Sequence, residues 1–143
     1  VKQMEDQYAM VQGVLGGIGA VSLFVAAIGI ANTMMMSIYE RTKEIGIMKV
    51  LGCSLGRIRD LFLMEAGFIG LSGGAIGLLL SYGISAIINA VAGGSTGYST
   101  LSYIPLWLSA VSLVFAVIIG MLAGLMPALR AMRLSALSAL RNE

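Results

Sequence analysis

Residues 37–65 read SIYERTKEIGIMKVLGCSLGRIRDLFLME, and they hold nine of the 16 charged side chains in the chain. The segments on either side, residues 7–39 and 66–129, contain no charge at all. Lysine and arginine are enriched in the cytoplasmic loops of membrane proteins, so the five basic residues of this stretch predict a cytoplasmic location. The stretch is longer than an ordinary connection, which indicates a contact surface for a partner.

The composition indicates an integral membrane protein. The 143 residues are 58% hydrophobic and 11% charged, against about 25% charged in soluble domains. The single cysteine, Cys53, excludes a disulfide framework within the chain, and the lack of histidine removes the commonest general base and metal ligand. We therefore expect neither an enzyme nor a bound metal or cofactor. The chain begins at Val1 without a signal segment, so we expect the C-terminal part of a longer polypeptide.

The charge pattern predicts an all-α membrane protein with three transmembrane helices. Eight of the nine basic residues fall on one side of these helices, which predicts an external N-terminus and a cytoplasmic C-terminus. The expected segments are an extracytoplasmic stalk end (1–12), a transmembrane helix (13–37), a cytoplasmic helix (38–52), an interfacial helix (54–64), a transmembrane helix (65–90), an external loop (91–104), a transmembrane helix (105–129) and a cytoplasmic tail (130–143).

The cytoplasmic stretch has its own start and stop signals. Ser37 and Glu40 fit a capping box, and Gly52 fits a C-terminal stop, which predicts a helix over residues 38–51. Charges are interleaved with its apolar residues, whereas a helix on the membrane surface would segregate them. This pattern favours a helix held between two protein surfaces, one of the bundle and one cytoplasmic. The alternative is a solvated basic loop that only sets the topology.

The second part of the stretch is amphipathic. Ser54 can cap a helix in which Leu55, Ile58, Leu61 and Phe62 share one face, which predicts a helix along the inner membrane interface. Glu65 falls on the apolar side at the mouth of the bilayer, where an unpaired carboxylate is costly. We expect a structural carboxylate paired with an arginine, and the alternative is a proton-handling role.

The turn between the last two spans also carries recognisable signals. Residues 89–105 combine glycine, serine and no charge, and Pro105 suits the first turn of the final helix. Tyr98, Tyr103 and Trp107 are then expected at the outer headgroup level.

Small residues recur at four-residue spacing on every predicted span. Such rows allow helices to pack closely in a membrane. The helix-packing candidates are Gly13, Gly17, Gly70, Gly74, Gly73, Gly77, Gly120 and Gly124. We expect the helices to form a close-packed bundle that dimerises.

A rival interpretation is a secondary transporter or channel. Such a protein needs a polar site near the bilayer midplane, often at a broken helix. The candidates are Asn32 and Thr33, or the Gly73–Gly74 pair. A membrane scaffold is a third possibility, but it leaves the charged loop without a role.

Three motifs carry a resemblance to a known family. Residues 16–66 contain ERTKEIGIMKVLG and FLMEA, and residues 127–143 read PALRAMRLSALSALRNE. These motifs resemble the FtsX-like permease family, the membrane subunits of MacB-type ABC transporters. The family usually has proline and an acidic residue where this chain has Ala136 and Ser138. Because of this difference, the family does not predict the conformation of the tail, but the resemblance to the family is unaffected.

The resemblance implies a fold and a function. Such permeases have four spans and a large extracytoplasmic domain after the first, so this chain corresponds to spans two to four. In this family, ATP and Mg²⁺ bind a partner ATPase. Hydrolysis of ATP by that partner moves the external domain, a mechanism called mechanotransmission. The chain has no phosphate-binding loop of its own. The cytoplasmic helix is implied to be a coupling helix, with candidate ATPase contacts at Glu40, Arg41, Lys43, Glu44, Ile45, Gly46 and Met48.

The resemblance also implies partners and a location. A second permease copy or a paralogue is implied to complete a dimer, with residues 13–20 near its two-fold axis. A periplasmic or extracellular adaptor fits the scheme. The chain is expected to be a multi-pass protein of the bacterial inner membrane and to bind no nucleic acid. It is expected to belong to an efflux system or to a lipoprotein or peptide export system.

Overall fold

The structure of the chain, a computed structural model, describes residues 2–96 and 100–134. These residues form four helices and no strand: α1 (Lys2–Glu40), α2 (Thr42–Val50), α3 (Leu55–Thr96) and α4 (Leu106–Arg133). Within the described residues, α1, α3 and α4 are long and apolar enough to cross a membrane. The predicted all-helical architecture with three candidate membrane spans is confirmed. Tyr98 and residues 135–143 of the predicted tail lie outside the described residues.

The long helices continue past the predicted boundaries of the spans. α1 has 39 residues and α3 has 42, which correspond to about 58 and 63 Å against a hydrocarbon core of about 30 Å. No break in α1 separates a stalk at residues 1–12 from the span. One helix, α3, covers both the predicted interfacial segment at 54–64 and the predicted span at 65–90, so no turn separates the two segments. No proline interrupts the helix there.

The predicted apolar face at the start of α3 is only partly correct. Ile58 and Phe62 are 1% exposed, whereas Leu55 and Leu61 are 48% and 51% exposed. Residues four apart lie on one face of a helix, so the buried row continues from Ile58 and Phe62 to Ala66. The predicted external loop is also shorter at its start, since α3 extends to Thr96.

A single residue separates α1 from α2. Arg41 leaves the helical conformation (φ −98°, ψ 16°), and α2 begins at Thr42. The predicted capping box is wrong, because Ser37 lies inside α1 and no side chain caps α2. The Thr42 hydroxyl donates instead to the carbonyls of Ile38 (3.0 Å) and Tyr39 (2.8 Å). It thereby satisfies carbonyls that the end of α1 leaves without partners.

Gly52 ends α2, as its position in the sequence predicts. Its φ of +83° is in the left-handed region that favours glycine. The Gly52 amide donates to the Lys49 carbonyl (3.1 Å) and the Cys53 amide to the Met48 carbonyl (2.9 Å). These two bonds form a Schellman motif, which turns the chain sharply towards α3.

α3 and α4 pack almost backbone to backbone. A Cβ added at Gly120 would lie 2.6 Å from the Ala66 carbonyl oxygen, and one at Gly74 would lie 2.6 Å from the Ala116 Cβ. Gly70 and Gly124 lie in the same contact. Small residues permit such a close approach. Lipid chains are as apolar as the side chains, so helices in a membrane associate largely through the van der Waals contact that this approach provides.

The other predicted packing glycines have free surroundings. A Cβ at Gly13, Gly17, Gly73 or Gly77 would meet no atom within 4 Å in the described part of the chain. The predicted rows therefore divide into one set at the α3–α4 contact and another that faces away from these helices.

Polar side chains hold the connection between α3 and α4. The Asn89 side chain accepts from the Leu101 and Ser102 amides (2.9 and 2.8 Å) and donates to the Ser102 carbonyl (2.8 Å). The Tyr82 and Ser109 hydroxyls lie 2.7 Å apart. α4 begins after Pro105, close to the predicted start.

The buried apolar core lies at the opposite end. It combines residues from all four helices: Met34, Ile38, Ile45, Ile58, Phe62, Ala66, Ala128 and Ala131. We call the end of the bundle formed by residues 40–65, Arg130 and Arg133 the charged end. All four helices meet only there.

The α3–α4 contact generates the first prediction. Gly70→Ala would place a Cβ 3.1 Å from the Gly120 Cα and closer still to the Ala116 carbonyl, so the helices must separate. We expect the free energy of unfolding to fall by about 1–3 kcal/mol, which would appear as a lower thermal unfolding midpoint in detergent.

Gly73→Ala is the matched control on the same helix, because it meets no described atom within 4 Å. Its stability should be unchanged or higher by about 0.5–1 kcal/mol. Equal destabilisation by the two substitutions would contradict the close contact.

Candidate functional site

α2 packs its inner face into the core at the charged end. Ile45 is fully buried, and Gly46 is buried beside it. Ile45 joins Met34 of α1 and Phe62 of α3 in one apolar cluster. Apolar burial therefore holds α2 against the ends of the long helices, although α2 has only nine residues.

Lys49 connects α2 to the end of α4. Its Nζ donates to the carbonyl oxygens of Ala131 (3.1 Å) and Met132 (2.8 Å), and also to that of Leu134. The last carbonyls of a helix have no partner within the helix and form the negative end of its dipole. The ammonium group of Lys49 thus caps α4 from a helix more than 80 residues earlier in the sequence.

The burial of Lys49 has an electrostatic cost. Desolvation lowers the pKa of its ammonium group below the ordinary lysine value. The three carbonyl acceptors and the helix dipole offset this cost by favouring the charged form. In the sequence, Lys49 is one of five basic residues in the charged stretch, and no local pattern shows that it reaches α4.

Glu65 lies beside an arginine. Its Oε2 is 3.6 Å from the Arg41 Nη1, and the two side chains are 33% and 52% exposed. The pair connects the turn between α1 and α2 to α3. The position of Glu65 at the mouth of the bilayer indicated an arginine partner, and the structure places Arg41 there. Its structural rather than proton-handling role stays a prediction.

The candidate ATPase contacts separate into an inner and an outer group. Ile45 and Gly46 are buried and Met48 is half-buried, so these three pack against this chain. Glu40, Arg41, Lys43 and Glu44 are exposed. Only the outer group is accessible to a partner in this arrangement.

The outward face of α2 also carries apolar side chains, none of which is among the predicted partner contacts. Ile47, Val50 and Leu51 are 44%, 64% and 80% exposed. At 100° per residue they lie with Lys43 and Glu44 within an arc of about 120°. We call these five residues the outer face of α2. Exposed apolar residues rimmed by charges are typical of a protein contact.

The candidate midplane site of a transporter or channel has no polar cluster in the described residues. Asn32 and Thr33 are exposed on α1, and the Thr33 hydroxyl donates to the Gly29 carbonyl in its own helix (3.0 Å). α3 passes through Gly73 and Gly74 without a break. Residues 2–96 and 100–134 also contain no group of three or more His, Cys, Asp and Glu that could hold a metal ion.

Comparison with known proteins identifies the family. Residues 16–136 match the FtsX-like permease C-terminal family. The chain belongs to the FtsX-like permease family. The matched region includes α2, Glu65 and the end of α4.

The relatives are ABC transporter permeases. The chain is 41% identical over 136 residues to the ABC transporter permease YtrF of Bacillus subtilis, covering 88% of this chain and 31% of that protein. It is 41% identical over 128 residues to an uncharacterised ABC transporter permease of Methanocaldococcus jannaschii, covering 89% and 32%. It is 35% identical over 127 residues to the macrolide export ATP-binding/permease protein MacB of Escherichia coli, covering 88% and 19%. The chain therefore spans about a third of the two permeases and a fifth of MacB.

The contacts of Lys49 generate the second prediction. Lys49→Met would leave the last carbonyls of α4 without their donor, at a cost of about 1–3 kcal/mol. We expect faster hydrogen exchange across α2 and a lower unfolding midpoint. Lys49→Arg should retain more stability, because arginine keeps the charge and several donors.

Lys43→Met is the control for Lys49, since Lys43 is exposed on the same helix. The free energy of unfolding of this variant should stay within about 0.5 kcal/mol of that of the original protein. Unchanged exchange in Lys49→Met would show that this lysine does not hold α2 in place.

The Arg41–Glu65 pair generates the third prediction. Glu65→Gln should be tolerated better than Glu65→Leu, because the amide still accepts a hydrogen bond whereas leucine leaves Arg41 unpaired. Adding Arg41→Gln to Glu65→Leu should recover part of the loss. The measurements are expression yield and unfolding midpoint. If Glu65→Gln and Glu65→Leu are produced at normal yield but lose transport-linked ATPase activity equally, a charge-dependent role is favoured.

Proposed function

We propose that this chain is the membrane domain of an ABC transporter that transmits force from a partner ATPase to an extracytoplasmic domain. The observation that carries the proposal is the two-sided placement of α2. Its inner face is held by Ile45 and Lys49, while its outer face carries accessible apolar and charged side chains. A helix that receives force from a partner needs both a firm attachment and a free contact surface.

The charged end faces the cytoplasm in this proposal. Of the described basic residues, seven belong to the charged end and only Lys2 lies near the other end of α1. The positive-inside rule then gives an external N-terminus and places Arg130 and Arg133 in the cytoplasm. The membrane is the bacterial inner membrane, and the partner ATPase docks from the cytoplasmic side.

Force on α2 has two routes into the bundle. Lys49 connects α2 to the end of α4, which packs closely against α3 through Gly70 and Gly120. A turn of one residue connects α2 directly to α1. α1 then runs as one helix from Glu40 to Lys2, so a tilt at the charged end displaces its far end. That far end carries the extracytoplasmic domain, which moves the exported substrate.

The chain itself has no ATPase role in this proposal. ATP and Mg²⁺ bind the partner, in line with the name of the relative MacB as an ATP-binding/permease protein. A second permease copy or a paralogue packs on the free side of α1, where Gly13 and Gly17 leave room for a helix. An external adaptor completes the assembly, which belongs to the efflux or lipoprotein and peptide export type.

A charge reversal on the outer face of α2 tests the proposal. In the full-length transporter, Glu44→Arg and Lys43→Glu should each place like charges against the ATPase. A desolvated contact then loses several kcal/mol, whereas an exposed pair loses about 0–1 kcal/mol. We expect co-purification of the ATPase and its stimulated hydrolysis to fall by tenfold or more, with normal membrane insertion.

Glu5→Arg supplies the control, because it makes the same charge change at the distant end of α1. It should leave ATPase binding intact. If both charge reversals on α2 leave ATPase binding and stimulated hydrolysis at wild-type levels, the assignment of α2 as the coupling helix is refuted. Uptake of a solute by this domain without an ATPase would indicate a secondary transporter or channel.

A further inference from the structure

Arg130 and Arg133 form an accessible cationic pair at the end of α4. They lie three residues apart, on one side of the helix, and both are exposed. Neither forms an ion pair with any of residues 2–96 or 100–134, where the ion pairs are Arg41–Glu65 and Arg59–Asp60. The force route proposed above does not use these two arginines.

Two grooves meet at this pair. The first lies between the end of α1 and α4, has a volume of about 210 Å³, and is lined by Met35, Ile38, Tyr39, Arg130, Arg133 and Leu134. The second runs along α4, has a volume of about 450 Å³, and is lined by Leu122, Leu125, Met126, Leu129, Arg130 and Arg133. We call them the head groove and the tail groove. The volume of the tail groove is in the ordinary range for ligand sites, and that of the head groove is smaller.

The pair lies at the boundary of the apolar membrane region. Arg130 is the first charged residue after the uncharged residues 66–129, and Arg133 lies about 4.5 Å farther along the axis. Lipid phosphates occupy this level of a bilayer. A guanidinium group binds phosphate through two parallel hydrogen bonds, and the exposed Tyr39 side chain adds a hydroxyl to the head groove.

The tail groove continues this site into the membrane. Its apolar residues recur at three- and four-residue spacing, so Leu122, Leu125 and Leu129 line one side of α4. From Leu129 to Leu122 this stripe extends about 10 Å from the arginines towards the bilayer centre. A cationic pair at the surface with an apolar groove beneath it matches the two halves of an anionic lipid.

We propose that this site binds one anionic phospholipid, with its phosphate at Arg130 and Arg133 and an acyl chain in the tail groove. Charge complementarity selects an anionic over a zwitterionic headgroup, as it does for other basic pockets at the ends of membrane helices. A lipid in the head groove contacts both Tyr39 of α1 and the end of α4. It therefore bridges the two helices that meet at the charged end.

Native mass spectrometry of the full-length protein tests the site. Phosphatidylglycerol is added, with phosphatidylcholine of the same chains for comparison. We expect one retained phosphatidylglycerol per chain and little retained phosphatidylcholine. Arg130→Gln with Arg133→Gln should weaken this retention about tenfold or more, because two cations at an anionic headgroup are lost.

Arg57→Gln with Arg59→Gln is the matched control, since it removes the same charge elsewhere at the charged end. It should change retention by no more than about twofold, because it leaves the site intact. Equal loss in the two double variants would show unspecific attraction and overturn the site. Full displacement of the lipid by inorganic phosphate alone would show an anion site without an acyl-chain requirement, which would also overturn the proposal.

A second measurement does not depend on folding of the variants. Phosphatidylglycerol with a photoreactive group in its acyl chain is cross-linked to the unmodified protein, and the labelled peptides are sequenced. We expect adducts within residues 122–129 of α4. Adducts found only on other helices would refute the tail groove.

Discussion

The arrangement of the charged end depends on the ammonium group of Lys49. α4 ends with carbonyl groups that have no helical partner, and Lys49 donates to two of them, Ala131 and Met132, and to the carbonyl of Leu134 just beyond the helix. The cost of desolvating the lysine is offset because the same carbonyls form the negative end of the α4 dipole. With Lys49 fixed there, the left-handed turn at Gly52 sets where α3 begins. The burial of Ile45 and the outward direction of Lys43 and Glu44 follow from this placement.

Packing is unevenly distributed over the three long helices. α3 and α4 approach each other at backbone distance through Gly70 and Gly120, whereas α1 contributes buried residues only at Met34 and Ile38. The chain thus combines a compact α3–α4 pair with a long helix attached mainly at one end. This combination suits a domain in which a small displacement at the attached end produces a larger one at the free end. The exposed length of α1 also leaves an extensive apolar surface for lipid or another helix.

The candidate site was partly predictable from local patterns. Glycine at position 52 indicated a helix end because few other residues adopt positive φ, and the carboxylate of Glu65 at the membrane boundary indicated a cationic partner. The two faces of α2 were not predictable. Ile45 is among the predicted partner contacts but is buried, whereas Leu51 is not among them and is 80% exposed. In a nine-residue helix with charged and apolar residues interleaved, the sequence does not show which side packs against the bundle.

The membrane class, the number of candidate spans and the family follow from the amino-acid sequence alone. The reason is that long uncharged segments have few alternatives to membrane helices, and the motifs around residues 40–66 are distinctive. Three features are visible only in the folded chain: α3 is unbroken from Leu55, Gly70 packs closely while Gly73 does not, and Lys49 reaches the end of α4. These features depend on how distant segments approach each other in space, and a periodic pattern within one helix carries no information about the position of another.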